Sequence, residues 1–384
     1  MEYINKEKDL RLYFSGKLNT DNAGAVEEEI NQILNKENYS SLTLDFKDLQ
    51  YISSVGLRLV LKLKQKHEQF KIVEVSDEVY EILSMTGFSE IMNVERKLKE
   101  IDLSNASVIG SGYFSSVYRI DKDTIVKVFN KISDDDQIER ELRLAKKAFV
   151  LGIPTAISFD VVKANGLYGL RFEMLDCISL KDAFKENIYD YNGLVIKYAN
   201  LLKTINTTVC NDDLIPNINH FYNQKLEDLK GIFSEEEYLK LKSLFSTIEE
   251  RNTFVHGDCH FKNIMIQNDE FLLIDMDTLS IGNPIFELSQ IRAAYLGYEE
   301  DEKGNCERFF GLSAEFCEKL YKDVLSNYLK EVKQEYLDKI AIVSTLHVLW
   351  WNELNEKENQ IRSKGCKERL LNLIKKYNDL DIGL

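Results

Sequence analysis

The spacing of apolar and polar positions changes character partway along this chain. Over residues 1–98, short apolar runs alternate with stretches of helical period: strands are predicted over 10–15, 42–46 and 70–75, and helices over 23–34, 57–67 and 78–85. That alternation predicts an α/β layer with helices packed on a sheet. The charged run 95–100 interrupts it and marks a boundary, giving a first domain of 1–98 and a linker of 99–105. From about Ser104 the pattern is β-rich, with strands predicted over 108–109, 116–120 and 124–129 around glycines and an Asp-Lys-Asp turn. A helix is predicted over 135–151, stopped by Gly152 and by Pro154 two residues on. The runs 157–163 and 167–175 flank Asn165-Gly166, a strong hairpin signal. Beyond Leu180 amphipathic helix dominates, broken by strands near 254–276, and no internal repeat is visible. The second domain is therefore 106–384, with a small β-rich lobe over 106–175 and a larger, mainly helical lobe over 176–384.

At 384 residues and 44% apolar content, the chain can bury two cores. The six cysteines show no Cys-x-x-Cys pair, which fits reduced thiols better than a zinc site or disulfide framework. No apolar run reaches the roughly 18 residues of a membrane span, and the N-terminus lacks a signal-peptide core, so a cytoplasmic protein without a membrane partner is expected. With 49 basic against 64 acidic residues the net charge is −15, which argues against nucleic acid as a partner.

Three stretches carry chemistry. Gly110-Ser111-Gly112 lies between two predicted strands, and Ser115 stands where a third glycine would complete a nucleotide loop. In Thr-Ile-Val-Lys-Val-Phe, Lys127 sits among alternating apolar neighbours, where an ammonium needs a partner. The following helix offers Glu139 and Glu141, which point to different faces; Glu141 is favoured because it leads into the apolar face of Leu144, Ala148 and Leu151. In Val-His-Gly-Asp-Cys-His-Phe-Lys-Asn-Ile-Met, residues 255–265, two readings compete. His256, Asp258 and His260 alternate as metal ligands of a hydrolase would, or Asp258 is a base with Asn263 and the later Asp275 as oxygen ligands. The second set, with Lys127, supplies what phosphoryl transfer needs. A zinc site would need further ligands, and only His67, His220 and His347 remain.

His-Gly-Asp-x-His-x-x-Asn followed by Ile-Asp-x-Asp resembles the catalytic signature of the aminoglycoside phosphotransferase and choline-kinase-like families, over about 105–384. The resemblance implies an α+β protein-kinase-like fold and transfer of the γ-phosphate of ATP, with GTP as the alternative, to a hydroxyl of a small molecule of aminoglycoside, amino-alcohol or sugar type. It implies Asp258 as catalytic base, Asn263 and Asp275 as Mg²⁺ ligands, and Lys127 as the phosphate contact. Gly110, Ser111, Gly112, Ser115 and Glu141 complete the nucleotide site. Glu173 to Leu175 form the hinge that reads adenine, and the two histidines are structural or orienting. Such families often carry aspartate where this chain has Glu287. Aromatics such as Tyr189, Tyr191, Trp350 and Trp351 are acceptor-pocket candidates, with core packing as the plainer role.

Residues 42–62, together with Gly-Lys-Leu-Asn and Thr-Gly-Phe-Ser-Glu-Ile-Met, resemble the STAS domain of anti-sigma factor antagonists. That likeness implies an α/β regulatory module that binds a protein partner, or the chain's own kinase-like domain. The family's phosphorylated serine corresponds to Ser54, although Ser53 replaces the usual aspartate and Val55 the second hydroxyl. From the residues alone, Ser53 or Ser54 caps the helix that follows, and capping is the simplest role for Ser54. An interaction protein that binds nucleotide with little turnover is the alternative to the enzyme.

Overall fold

The computed structural model describes residues 1–112, 115–130, 135–212, 214–355 and 360–376. It divides into two compact units: Met1–Ile101 with Val162–Asn165, and Asp102–Val161 with Gly166–Leu384.

In the first unit, strands Glu2–Lys6, Asp9–Leu18, Ser41–Ile52, Phe70–Val75 and Asn93–Arg96 form one sheet in that order. The first pair is antiparallel and the others are parallel. Parallel neighbours need crossovers, and helices Ala23–Lys36, Ser54–Lys66 and Asp77–Met85 supply them. Alternate strand residues Leu10, Leu12, Leu42, Leu44 and Ile72 meet Ile30, Val60 and Leu83 in a closed core. Gly56 permits the close approach of helix to sheet, because a Cβ there would stand 2.8 Å from Leu18 O and from Ile52. The strand Ser41–Ile52 runs well past the predicted 42–46. Residues 93–96 and 99–101, expected as boundary and linker, are strands. The helix cap is Ser53, whose side chain accepts from Gly56 N; Ser54 is the exposed first helical residue, so its expected capping role falls to its neighbour.

In the second unit, strands Leu167–Glu173, Thr124–Phe129, Ser115–Arg119 and Ser107–Ser111 lie side by side in that order. Asn165 and Gly166 both adopt positive φ, 52° and 77°, as a tight primed turn requires. The helix Asp135–Val150 ends at a left-handed Gly152, with Ile153 N donating to Ala148 O. Leu144 and Ala148 are buried, whereas Leu151 lies beyond the helix and is exposed. A mainly helical region follows around one core that includes Tyr198, Phe261, Phe286 and Leu346. A short pair, Phe254–Val255 with Ser280–Ile281, and a small three-stranded sheet, Ile178–Ser179, Ile264–Gln267 and Glu270–Leu273 in that order, interrupt it. All six cysteines are free. Among the described residues no helix is long and apolar enough to cross a membrane.

Candidate active site

Lys127 is where three segments converge. Its Nζ donates to Glu141 Oε1 at 2.8 Å and to Asp275 Oδ1 at 2.5 Å. Glu141 reaches it because Ile138, Glu141, Leu142 and Ala145 follow the i, i+3, i+4, i+7 spacing of one helix face, and all four are buried. Burial works against the charge on Lys127, but Glu141 and then Asp275 outweigh it and hold the ammonium protonated. Glu141 is pushed up by burial, with Lys127 pulling it back. Burial also opposes the charge on Asp275, yet the ammonium keeps that carboxyl below its usual range. Asp275 has a φ of 67°, a conformation that costs a non-glycine residue about 1–2 kcal/mol and aims its carboxylate back at Lys127.

The loop between Phe254–Val255 and Ile264–Gln267 carries the second group. Asn263 Nδ2 donates to Asp258 O at 3.0 Å and to Asp258 Oδ2 at 2.9 Å, which fixes the orientation of the amide. Its Oδ1 is left as an acceptor without a partner among the described residues. Burial, and then the Asp275 carboxylate, push Asp258 up to about 7, against pulls from Asn263 and Lys262. Its side chain is still 45% open to solvent.

His256 Nδ1 accepts from Asp258 N–H at 3.3 Å, which assigns the proton to Nε2, facing Ile274 O at 3.2 Å. Burial lowers its pKa to about 4, so the ring is neutral. With both nitrogens engaged it is an orienting residue, and the reading of His256, Asp258 and His260 as a shared metal site loses its first ligand. His260 is also kept neutral by burial, at about 4. Its Nε2 lies 3.5 Å from Asp258 Oδ1 and its ring packs edge-on against Phe309 and Phe310.

Of the groups that clasp this loop, the sequence singled out Glu287 and passed over the rest. Glu287, wholly buried, accepts from His256 N at 2.6 Å and Gly257 N at 3.2 Å. The longer side chain that departs from the expected aspartate is what grips both amides. Thr278 Oγ1 donates to His256 O at 2.7 Å, Tyr198 OH donates to Cys259 O, and Tyr295 OH accepts from Phe261 N at 2.9 Å. Only Glu287 had a signal, its position after Gly-Asn-Pro.

The remaining candidates lie at the edges. Gly110 and Ser111 end the strand Ser107–Ser111, Ser115 begins the next, and Gly112 N donates to Ser115 O at 2.8 Å. Tyr113 and Phe114 of that loop lie outside the described residues. In the segment expected as hinge, Glu173 N donates to Ile157 O and Met174 N to Asp123 O, while Leu175 is buried. Trp350 donates to Asp228 at 2.8 Å and its ring faces the Lys225 ammonium at 4.9 Å, so its indole already has internal partners. Tyr191 donates to Asp323 at 2.8 Å beneath Lys319.

For a divalent cation, Asn263 Oδ1 and the Asp275 carboxylate, 39% exposed, offer hard oxygen donors of the kind Mg²⁺ takes alongside nucleotide phosphates. The residues fit that ion.

A family model described as the phosphotransferase enzyme family matches residues 105–305, and a STAS domain model matches residues 2–101. Solved structures that resemble the chain include the aminoglycoside phosphotransferase APH(2")-IIa in a complex with streptomycin and ATP. It is 15% identical, over 70% of this chain and 90% of that one, with a TM-score of 0.45. Another is a choline/ethanolamine kinase family protein from Mesorhizobium loti, 12% identical over 70% and 87%, TM-score 0.46. A third is a putative anti-sigma factor antagonist from Thermotoga maritima, 22% identical over 24% and 84%, TM-score 0.23.

Proposed function

Since the chain belongs to the phosphotransferase enzyme family and carries a STAS domain ahead of the matching region, we propose that it is an ATP- and Mg²⁺-dependent kinase that phosphorylates a hydroxyl of a small molecule. The STAS domain serves as its regulatory, partner-binding module. One observation carries this reading: Asp258, Asn263, Asp275, Lys127 and Glu141 form two hydrogen-bonded groups, joined by the action of the Asp275 carboxylate on Asp258.

In the transfer, the bond from the γ-phosphorus to the β–γ bridging oxygen breaks and a bond to the acceptor oxygen forms. Asp258 orients the acceptor hydroxyl and takes its proton. Lys127, held by Glu141, contacts the phosphates, and a bound nucleotide takes over the charge that Lys127 and Asp275 now give each other. Asn263 and Asp275 would hold Mg²⁺, which would supply positive charge to the phosphate oxygens. His256 and Glu287 keep the loop in shape so that Asp258 stays on target.

The test is ATP consumption by the full chain against a panel of aminoglycosides, amino-alcohols, sugars and sugar acids. Asp258→Asn is expected to retain Mg·ATP binding and to lose turnover by roughly 10²–10⁴-fold. Equal rates in mutant and wild type would remove Asp258 as base. Asp275→Ala is expected to weaken nucleotide binding specifically in the presence of Mg²⁺; unchanged Mg²⁺ dependence counts against its role as ligand.

A further inference from the structure

A cation next to Asp258 makes no close ion pair among the described residues. Lys262 follows Asp258 by four residues and immediately precedes Asn263; it is half-buried, and its ammonium lies 4.0 Å from the centre of the Phe309 ring. Among the described residues it makes no ion pair. Phe309 is 50% exposed, a large apolar face open to solvent at the end of helix Asn305–Phe310, and it also touches His260 of the base's loop. Lys181 is close by: its backbone N–H donates to Phe261 O at 3.1 Å, one residue before Lys262, and the two ammonium groups act on each other through space. Lys181 has a carboxylate, Asp182 at 3.1 Å, but Asp182 also accepts from Ser179. Beside Asp258, which acts on Lys262 through space, the wall thus carries two lysines of which only Lys181 makes an ion pair among the described residues, on a chain whose net charge is −15.

A half-buried ammonium beside a second one, with the Asp258 carboxylate acting on it only through space, is costly to hold, and an anion delivered by a ligand relieves that cost. A polycation brought to the same wall meets like charge. We infer that Lys262 and Lys181 form the acceptor subsite and that the acceptor is an anionic alcohol, a hydroxylated molecule bearing a carboxylate or a phosphate, resting on Phe309 with its hydroxyl at Asp258. The inference rests on the kinase reading above and narrows its substrate class.

The experiment uses the full-length protein with ATP and Mg²⁺ on matched sets of acceptors: glycerol, glycerate and glycerol phosphate; glucose, gluconate and glucose 6-phosphate; and the polycation kanamycin. Phosphoryl transfer that depends on Asp258 is expected with a carboxylate or phosphate member and not with its neutral counterpart or kanamycin. The arm that responds separates carboxylate from phosphate. Lys262→Gln is expected to raise KM for that acceptor roughly tenfold, with kcat changed less; Lys262→Arg restores most of the loss, and Lys181→Gln has a smaller effect in the same direction. Transfer to glucose or kanamycin that is indifferent to Lys262→Gln overturns the anionic assignment and leaves the kinase reading standing. An equal fall in kcat on every acceptor with KM unmoved also overturns it, by making Lys262 a contact to the transferred phosphate. Absence of Asp258-dependent transfer to any of them overturns the anionic assignment, and absence of Mg·ATP binding as well brings down the kinase reading itself.

Discussion

Asp258 is drawn up to about 7 by burial and by the Asp275 carboxylate, from an ordinary aspartate value of 3.8. The folded protein therefore holds a proton that the unfolded chain releases near pH 4. The stability tied to that proton is complete below the unfolded value and is lost as pH rises through about 7. Asp258→Asn removes the titration, so in the absence of nucleotide and Mg²⁺ it should raise Tm more at pH 8 than at pH 5. Equal gains at both pH values would show that the shift is not the cause. On the proposed mechanism Asp258 acts only when deprotonated, so kcat/KM should rise with pH across an acid limb near 7 and then level off. Lys127 gives a prediction of the opposite kind. Lys127→Met strands Glu141, only 4% exposed, without its ion partner, at a cost of about 3–5 kcal/mol. Lys127→Met with Glu141→Leu should recover a large part of that in urea denaturation; no recovery would mean that the pair is not what holds Glu141.

At the scale of elements, the loop 256–263 is shaped from outside itself. Gly257 adopts a φ of 82°, and a Cβ there would stand 3.1 Å from Thr278 O. Gly257→Ala therefore meets both backbone strain and crowding. It should cost about 1–3 kcal/mol and reduce kcat more than it changes KM for ATP, because Asp258 is the next residue. Steady-state kinetics alongside thermal melts check this, and an unchanged kcat would show that the loop tolerates the shift. The elements themselves were largely legible in the sequence. The strand 124–129 and the turn at Asn165-Gly166 stand where periodicity and turn chemistry put them. The strand Asn93–Arg96 was missed because its apolar content is one valine in a charged run, so its pairing beside Phe70–Val75 overrides composition. The cap at Ser53 rather than Ser54 turns on one residue of helix register, a difference that propensity does not resolve.

At the scale of the whole molecule, each unit closes its own core, one including Leu44 and Val60, the other Tyr198 and Phe286. Two transitions are expected in calorimetry, with Mg·ATP raising only the second unit's, by about 2.7 kcal/mol at a hundredfold excess over Kd. A single transition that shifts as one would contradict this. What the sequence determined by itself was the class of each unit, the residue types of the loop 255–265, and the resemblance that joins Lys127, Asp258, Asn263 and Asp275 in one chemistry. Those are properties of period and local spacing, readable along the chain. The tertiary structure pairs Lys127 with Glu141, the partner favoured from the sequence, and it alone decided that His256 has both nitrogens occupied, that Glu287 grips the loop, and that Lys262 makes no ion pair among the described residues. Each of these depends on burial and on a partner outside the local pattern. Lys127 and Asp275 are 148 residues apart in the chain and 2.5 Å apart in space, a contact that no local period encodes.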